Sequence, residues 1–354
     1  MNRVPETARP RPRVRRRQAG LAALLLAAGA LAGCSGSSGG PGGASPDGPD
    51  GDALRPVTVV LDWTPNTNHA GMYLAQAEGW YRDVGLDVRF VEPGESGSLA
   101  LLASDRADIA VSVQEEVVPA RVQGLPVRAV AAVIQHNTSS LVSLASDGIE
   151  SPADLPGATY GGYGGQLETA LLDALVACGG GEPGSVDTVD VGEADYRVGL
   201  ERDQYDLVWI FDAWDGIRLQ QEGVETNRIA FADQSDCIPD WYTPVLVTSE
   251  RVEEERAEDL DAFLAATARG YREAMADPEA AADALLAGAD DLDPKLVRAS
   301  AEYLATRYAD DPDAWGRFDP EVWSRFEGFL VDAGMIDAVP EGEPAWTNEH
   351  LPEP

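Results

Sequence analysis

"VTVVLDWTPNTNHAGMYLAQAEGW", residues 57–80, decides how the rest of the chain is read. Val57–Leu61 is a short β-branched and apolar run of strand length, and a helical pattern starts near Gly71. Between them stand Asp62, Trp63, Asn66, Asn68 and His69. A plain strand-to-helix turn does not need that much aromatic and polar chemistry.

Outward from this junction, short apolar runs alternate with longer amphipathic ones. A helix near 70–83 precedes "LDVRFVE" (86–92), and "SGSLALLASDR" (96–106) precedes "ADIAVSV" (107–113). "QEEVVPARVQG" (114–124) leads to the strands "VRAVAAVI" (127–134) and "SLVSLAS" (140–146). This rhythm predicts a largely parallel sheet with helices on both faces. A second series follows: a strand in 151–165, a helix over 166–179, then "VDTVDV" (186–191), "YDLVWIF" (205–211), "RIAFA" (228–232) and "TPVLVTS" (243–249). Beyond Arg251 the pattern is helical. Three of its helices are expected to begin at Asp277-Pro278, Asp293-Pro294 and Asp319-Pro320, with aspartate as the cap and proline at the first helical position. Two such series imply two lobes, with the chain crossing between them near 143–147 and 243–247. Ligands of open α/β sheets bind where loops gather at the carboxyl ends of strands. Asp62, Trp63, Asn66 and His69 are therefore expected to line a cleft.

Two further loops hold the same position. In "YGGYGGQLE" (160–168) the glycines let backbone approach a ligand, and the next helix offers free N–H donors, which makes Tyr163, Gly164 and Glu168 candidates. The loop lacks the lysine and Ser/Thr of a phosphate-binding loop and the spacing of a dinucleotide fingerprint. In "VWIFDAWDGI" (208–217), Trp209, Phe211 and Trp214 surround Asp212 and Asp215. Aromatic faces stack on flat ligands and carboxylates accept from amino groups. Strand alternation sends Trp209 and Phe211 to one face, and Phe211 is expected in the core. Trp241 and Tyr242 lie just before the return crossing, and Tyr242 joins the candidates.

The N-terminus carries seven arginines and one glutamate, then the apolar run Leu21–Gly33, then Cys34. This order is that of a signal peptide (1–33), too short for a comfortable membrane span. "LAGC" (31–34) reads as a lipobox with Cys34 lipidated, and Arg15–Arg17 leave the choice of Sec or twin-arginine export open. Residues 34–54, rich in Gly, Ser, Pro and Asp, form a flexible tether. The chain's formal charge is −35, and removal of a leader of +6 takes it to −41. Such acidity disfavours nucleic acid and anionic lipid as partners. Cys178 and Cys237 form an even pair that an exported setting allows to bridge, although sequence does not fix their distance. Three histidines, a single lysine (Lys295) and no nucleophile–base pattern give little support for catalysis, a resident metal or a cofactor.

The segments "LDWTPNTNHAGMYLAQAEGWYRDVGLDV", "LLASDRADIAVS", "SPADLPGATYGGYGG", "WIFDAWDGI" and "WTNEHL" resemble the NMT1/THI5-like substrate-binding proteins, in particular the branch that binds thiamine pyrimidine precursors. The resemblance implies a type II periplasmic-binding-protein fold, two doubly wound α/β lobes with a ligand cleft between them. The first lobe would take residues 55–145 and 244–354, and the second 146–243. It also implies a monomeric, lipid-anchored receptor at the outer face of the cell membrane, serving an ATP-binding-cassette permease and its ATPase. The ligand would be an aminopyrimidine of the hydroxymethyl or formylaminomethyl type, or a flavin as in related branches. Trp63 would stack on the ring, Asn66 would add polar contacts, and Asp212 would receive the amidine-like edge where relatives commonly carry glutamate. Fungal relatives are enzymes that make the pyrimidine and resemble users of a cysteine-rich iron motif, a run this chain lacks.

Overall fold

The computed structural model describes residues 53–191, 195–339 and 342–353. The expected signal peptide, the Cys34 lipidation site and nearly all of the tether lie outside these residues. Ten strands are formed: β1 Arg55–Val60, β2 Leu86–Val91, β3 Ile109–Ser112, β4 Val127–Ala132, β5 Ser139–Leu144, β6 Thr159–Gly162, β7 Asp187–Asp190, β8 Leu207–Phe211, β9 Thr226–Ala230 and β10 Val245–Ser249. They build two five-stranded sheets, ordered β2-β1-β3-β10-β4 and β7-β6-β8-β5-β9. Each sheet is parallel apart from one reversed strand. β10 runs antiparallel to β3 and β4, and β5 runs antiparallel to β8 and β9. The two-lobe α/β expectation is met, with mixed sheets in place of largely parallel ones.

β5 also moves the first crossing. Its residues pair with β8 and β9, so the chain leaves the first sheet within 133–138 and not near 143–147. Every residue of "SSLVSL" except Leu144 is buried, so no alternation marked which sheet it joins. The return falls within 231–244, before β10 rejoins the first sheet. Both crossings are tied at one point: Asp240 accepts from the Asn137 backbone N–H at 2.9 Å and pairs with His136 Nδ1 at 2.6 Å.

β1 shows why the lobes close on apolar cores. Val57, Val59 and Leu61 enter one cluster and Val60 another, on the opposite face of the sheet. The helix Ala70–Ala77 packs against the long helix Ala257–Ala276 through two glycines. A Cβ at Gly270 would stand 2.1 Å from the Gly71 carbonyl oxygen, and one at Gly71 would stand 2.5 Å from the Tyr271 ring. Only the absence of both side chains lets the backbones come this close. The three Asp-Pro starts are present as expected. Asp277, Asp293 and Asp319 accept from the N–H of Ala280, Lys295 and Glu321 at 3.0, 2.8 and 2.7 Å. Cys178, ending the helix Gln166–Cys178, is bonded to Cys237 with Cα atoms 5.6 Å apart.

Candidate functional site

The carboxyl end of β1 opens into the 61–69 segment, and its internal bonds explain its shape. Asn66 Oδ1 accepts from the Asn68 N–H at 2.9 Å, and Asn66 Nδ2 donates to the Thr64 carbonyl at 3.1 Å. The Asn66 N–H donates to His69 Nδ1 at 3.2 Å. That bond makes Nδ1 the acceptor, so Nε2 carries the proton and donates to Asp62 Oδ1 at 2.8 Å. His69 is fully buried and acts as a prop that orients Asp62. Trp63 is 58% exposed and shows its ring to the cleft.

From the second lobe, β8 supplies the opposing wall. Its alternation sends Leu207 and Trp209 to one core cluster and Val208 and Ile210 to another. Phe211 follows Trp209 on its face, as expected, but it is not in the core: at the strand end that face looks into the cleft, and Phe211 stays 40% exposed. A single π-helical turn, Asp212–Gly216, then carries the loop.

This turn separates the two aspartates. Asp212 is buried, accepts from Ser140 Oγ at 2.7 Å and pairs with Arg228 Nη1 at 3.2 Å. Burial nevertheless raises its pKa, with Ser140 and Arg228 opposing. Asp212 is not among the residues lining the cleft, whereas Asp215 lines it. Asp215 pairs with Arg218 Nη2 at 3.2 Å, and its pKa is also raised, chiefly by burial.

The cleft has two joined compartments. The first, about 160 Å³, is walled by Asp62, Trp63, Asn66, Thr67, Asn68 and Val113 on one side and by Phe211, Ala213, Trp214 and Asp215 on the other. Thr138, Thr243 and Pro244 of the crossings close its floor. The second, about 370 Å³, is mostly aromatic and apolar and is lined by Tyr160, Tyr163, Tyr196, Trp209 and Phe211 with Val113, Glu115, Glu168 and Asp215. Larger hollows of about 480 and 540 Å³ exist, but neither receives residues from strand ends of both sheets. Strand-end geometry favours the joined compartments as the binding site.

The other expected residues divide. Trp209 packs edge-on against Phe231 and Trp241 beneath the second compartment. Trp214 lines the first compartment and packs on the cluster around Leu285 and Val297. Tyr163 is exposed, and its hydroxyl meets that of Tyr196 at 3.0 Å. Glu168 faces the second compartment with its oxygens already taken. It accepts from the Tyr160 hydroxyl at 2.8 Å and from the N–H groups of Tyr163 and Gly165 at 3.1 and 2.7 Å. The helix start expected to offer donors to a ligand is thus capped by its own glutamate. Gly164 takes the turn at φ +71° and lines an outer groove, not the cleft. Tyr242 is a correction: it is 1% exposed, held between Phe318 and Trp323, and accepts from the Asp319 N–H at 2.7 Å. It follows the return segment into the core, where an aromatic residue fills volume. The sequence had given no signal for Glu115, which lies in the first turn of the helix Gln114–Val122 after β3.

No group of His, Cys, Asp and Glu among the described residues is arranged to hold a metal. Neither compartment has a lysine or arginine in its lining.

The sequence matches the family described as NMT1/THI5 like over residues 66–281. It is 31% identical over 249 residues to the formylaminopyrimidine-binding protein of Halalkalibacterium halodurans, covering 70% of this chain and 74% of that one. It is 27% identical over 315 residues to the riboflavin-binding protein RibY of Chloroflexus aurantiacus, covering 84% and 87%. Some relatives, one from Legionella pneumophila among them, are named as 4-amino-5-hydroxymethyl-2-methylpyrimidine phosphate synthases. The crystal structure of the periplasmic aliphatic sulphonate-binding protein SsuA from Escherichia coli has the same fold. It aligns with a TM-score of 0.63 at 15% identity over 81% of this chain and 90% of that one. Two α/β lobes, a cleft at their strand ends and these matches lead to one statement: the chain belongs to the NMT1/THI5-like family.

Proposed function

We propose that this protein is the exported, lipid-anchored receptor of an ATP-binding-cassette importer, and that it captures an aminopyrimidine of the thiamine-precursor type. One observation carries the reading. Trp63 and Asp215, from opposite lobes, wall the same small hollow, whose lining contains no basic residue. The hollow is smaller than the roughly 300–1,000 Å³ of drug-sized sites, which suits a single ring. Trp63 stacks on that ring, and Asp215 takes over the role expected of Asp212, accepting from the exocyclic amine and from the adjacent ring nitrogen in its protonated form. Asp62, braced by His69, adds a second acceptor. Asn66 shapes the loop because its amide is used internally. The only charged residues lining the hollow are the carboxylates Asp62 and Asp215, which disfavours an anion such as a sulphonate.

The leader and Cys34 supply the address and the anchor, and among the described residues no helix is long and apolar enough to cross a membrane. The chain acts by binding and release, without catalysis, and delivers its cargo as a monomer to a permease. A riboflavin-type cargo is the second reading, favoured by the match to RibY and by the larger compartment.

Thermal-shift and calorimetric titration with formylaminopyrimidine, hydroxymethylpyrimidine and riboflavin test the proposal. A ligand that binds only the folded protein raises the unfolding midpoint. A shift with either pyrimidine, weakened about tenfold or more in Trp63→Ala and in Asp215→Asn, is expected. Response to riboflavin alone would change the cargo, and response to none of the three would sink the proposal.

A further inference from the structure

The hollow of about 480 Å³ on the first lobe is separate from the cleft. It opens at the carboxyl ends of β1 and β2 and divides the segment after β1 with the cleft: Leu61 and Thr64 line the hollow, whereas Asp62 and Trp63 line the cleft. Its aromatic wall is Tyr73 with Phe90, their ring centroids 4.7 Å apart. Glu92, Asp290 and Asp291 line it as well, all three exposed, and no lysine, arginine or histidine does. Among the described residues none of these carboxylates has a cationic or hydrogen-bonding partner.

Solvated carboxylates are common on so acidic a surface and by themselves mark nothing. Tyr73 sets this hollow apart. It is only 5% exposed, and its ring edge is held against Gly288, where an added Cβ would stand 2.5 Å away. Its hydroxyl makes no hydrogen bond among the described residues. A buried hydroxyl without a partner carries a desolvation cost that a ligand in the hollow would relieve. Burial first, and the nearby Glu92 charge second, push its pKa up to about 12, so it stays protonated with lone pairs free to accept. Those lone pairs, the carboxylates and the aromatic faces all attract a cation. An anion is repelled, and among the described residues no group of His, Cys, Asp and Glu is arranged to hold a metal ion. The volume is that of a small-molecule site.

We propose that this hollow is a second binding site, for a small organic cation that carries an ammonium or guanidinium group. The cation lies on Tyr73 and Phe90 and donates to Glu92 and to the Tyr73 hydroxyl. The site does not depend on what the cleft holds.

The probes are agmatine, with an ammonium and a guanidinium on a four-carbon chain, and 4-guanidinobutanoate, in which a carboxylate replaces the ammonium. Calorimetry on the purified protein is expected to show agmatine saturating one site per chain. The unmodified protein should bind 4-guanidinobutanoate at least about tenfold more weakly, a comparison that needs no variant. Tyr73→Phe, which removes only the hydroxyl, and Glu92→Gln, a change at an exposed residue, should each weaken agmatine about tenfold, the worth of one hydrogen bond to a charged group. Trp63→Ala and Asp215→Asn alter the cleft and should leave agmatine binding unchanged. Absence of saturable agmatine binding, equal affinity for the two probes, affinity that survives Tyr73→Phe or Glu92→Gln, or affinity lost with Trp63→Ala would each overturn the second site and leave the aminopyrimidine reading standing. Failure of every pyrimidine to bind would overturn that reading alone.

Discussion

Asp212 Oδ1 stands 3.2 Å from Arg228 Nη1, while its Oδ2 accepts from Ser140 Oγ at 2.7 Å. The three residues come from the π-helical turn and from strands β9 and β5, so this aspartate fastens the turn to two strands. Removing one partner of a buried pair strands the other, at roughly 3–5 kcal/mol when both are enclosed. Arg228 is about one-third exposed, which reduces the cost. Asp212→Ala is therefore expected to lower unfolding stability by about 1–3 kcal/mol. Aminopyrimidine affinity of the folded fraction should stay within about threefold of the parent value, whereas Asp215→Ala should show the reverse pattern. Denaturant melts paired with calorimetry separate the two. Lost affinity with unchanged stability in Asp212→Ala would return the ligand-facing role to Asp212.

That pair also marks how far the sequence could be read. Strand and helix alternation, the Asp-Pro caps and the cleft position of Trp63 follow from local pattern, because each depends on neighbours within a few residues. Which carboxylate of "FDAWDG" meets the cleft depends on a π turn and on Ser140, 72 residues away. The register that buries Asp212 is not a property of the segment itself. Glu115 was illegible for a related reason. "SVQEEVV" reads as an ordinary acidic first turn of a helix, and its carboxyl is enclosed by residues distant in sequence, Trp241 among them. The sheet to which β5 belongs was hidden by its lack of alternation.

The Cys178–Cys237 bond closes a loop with a sequence separation of 59 residues. A cross-link of that span restricts the unfolded chain and is worth about 2–5 kcal/mol. The double replacement Cys178→Ser, Cys237→Ser is expected to lower stability by that amount. A reductant should reproduce the loss in the parent protein and do nothing to the variant. Identical melting of oxidised and reduced parent protein would show that the bond contributes nothing to stability.

Gly270 is the tightest point of the first lobe's helix packing. A methyl group there would lie 2.1 Å from a backbone oxygen, which no rotamer change relieves. Gly270→Ala is expected to cost at least about 1–3 kcal/mol of overpacking, despite alanine's better helix propensity. Gly328, whose added Cβ meets nothing within 4 Å, is the control. Gly328→Ala should be neutral or stabilising by up to about 1 kcal/mol. Equal melting of the two variants would contradict the close approach.

His136 joins the two crossings electrostatically. Its Nδ1 lies 2.6 Å from Asp240 and its Nε2 3.4 Å from Asp310, so one ring spans both crossing segments and the chain after Leu304. The hydrogen bond and charge of Asp240 raise its pKa from 6.5 to about 9, with Asp310 adding to the rise and partial burial opposing it. A histidine whose folded pKa lies above its unfolded value stabilises the fold fully below the unfolded pKa. That contribution fades as pH rises through the folded one. The window is therefore pH 6.5 to about 9. Melting midpoints of the parent protein should decline across it, and the decline should be shallower in His136→Asn, which cannot titrate. Because the ring is about half exposed, added salt should flatten the parent's slope. Parallel slopes for parent and variant would mean that Asp240 holds the crossings through the Asn137 backbone alone, with the imidazolium contributing no pH-dependent stability.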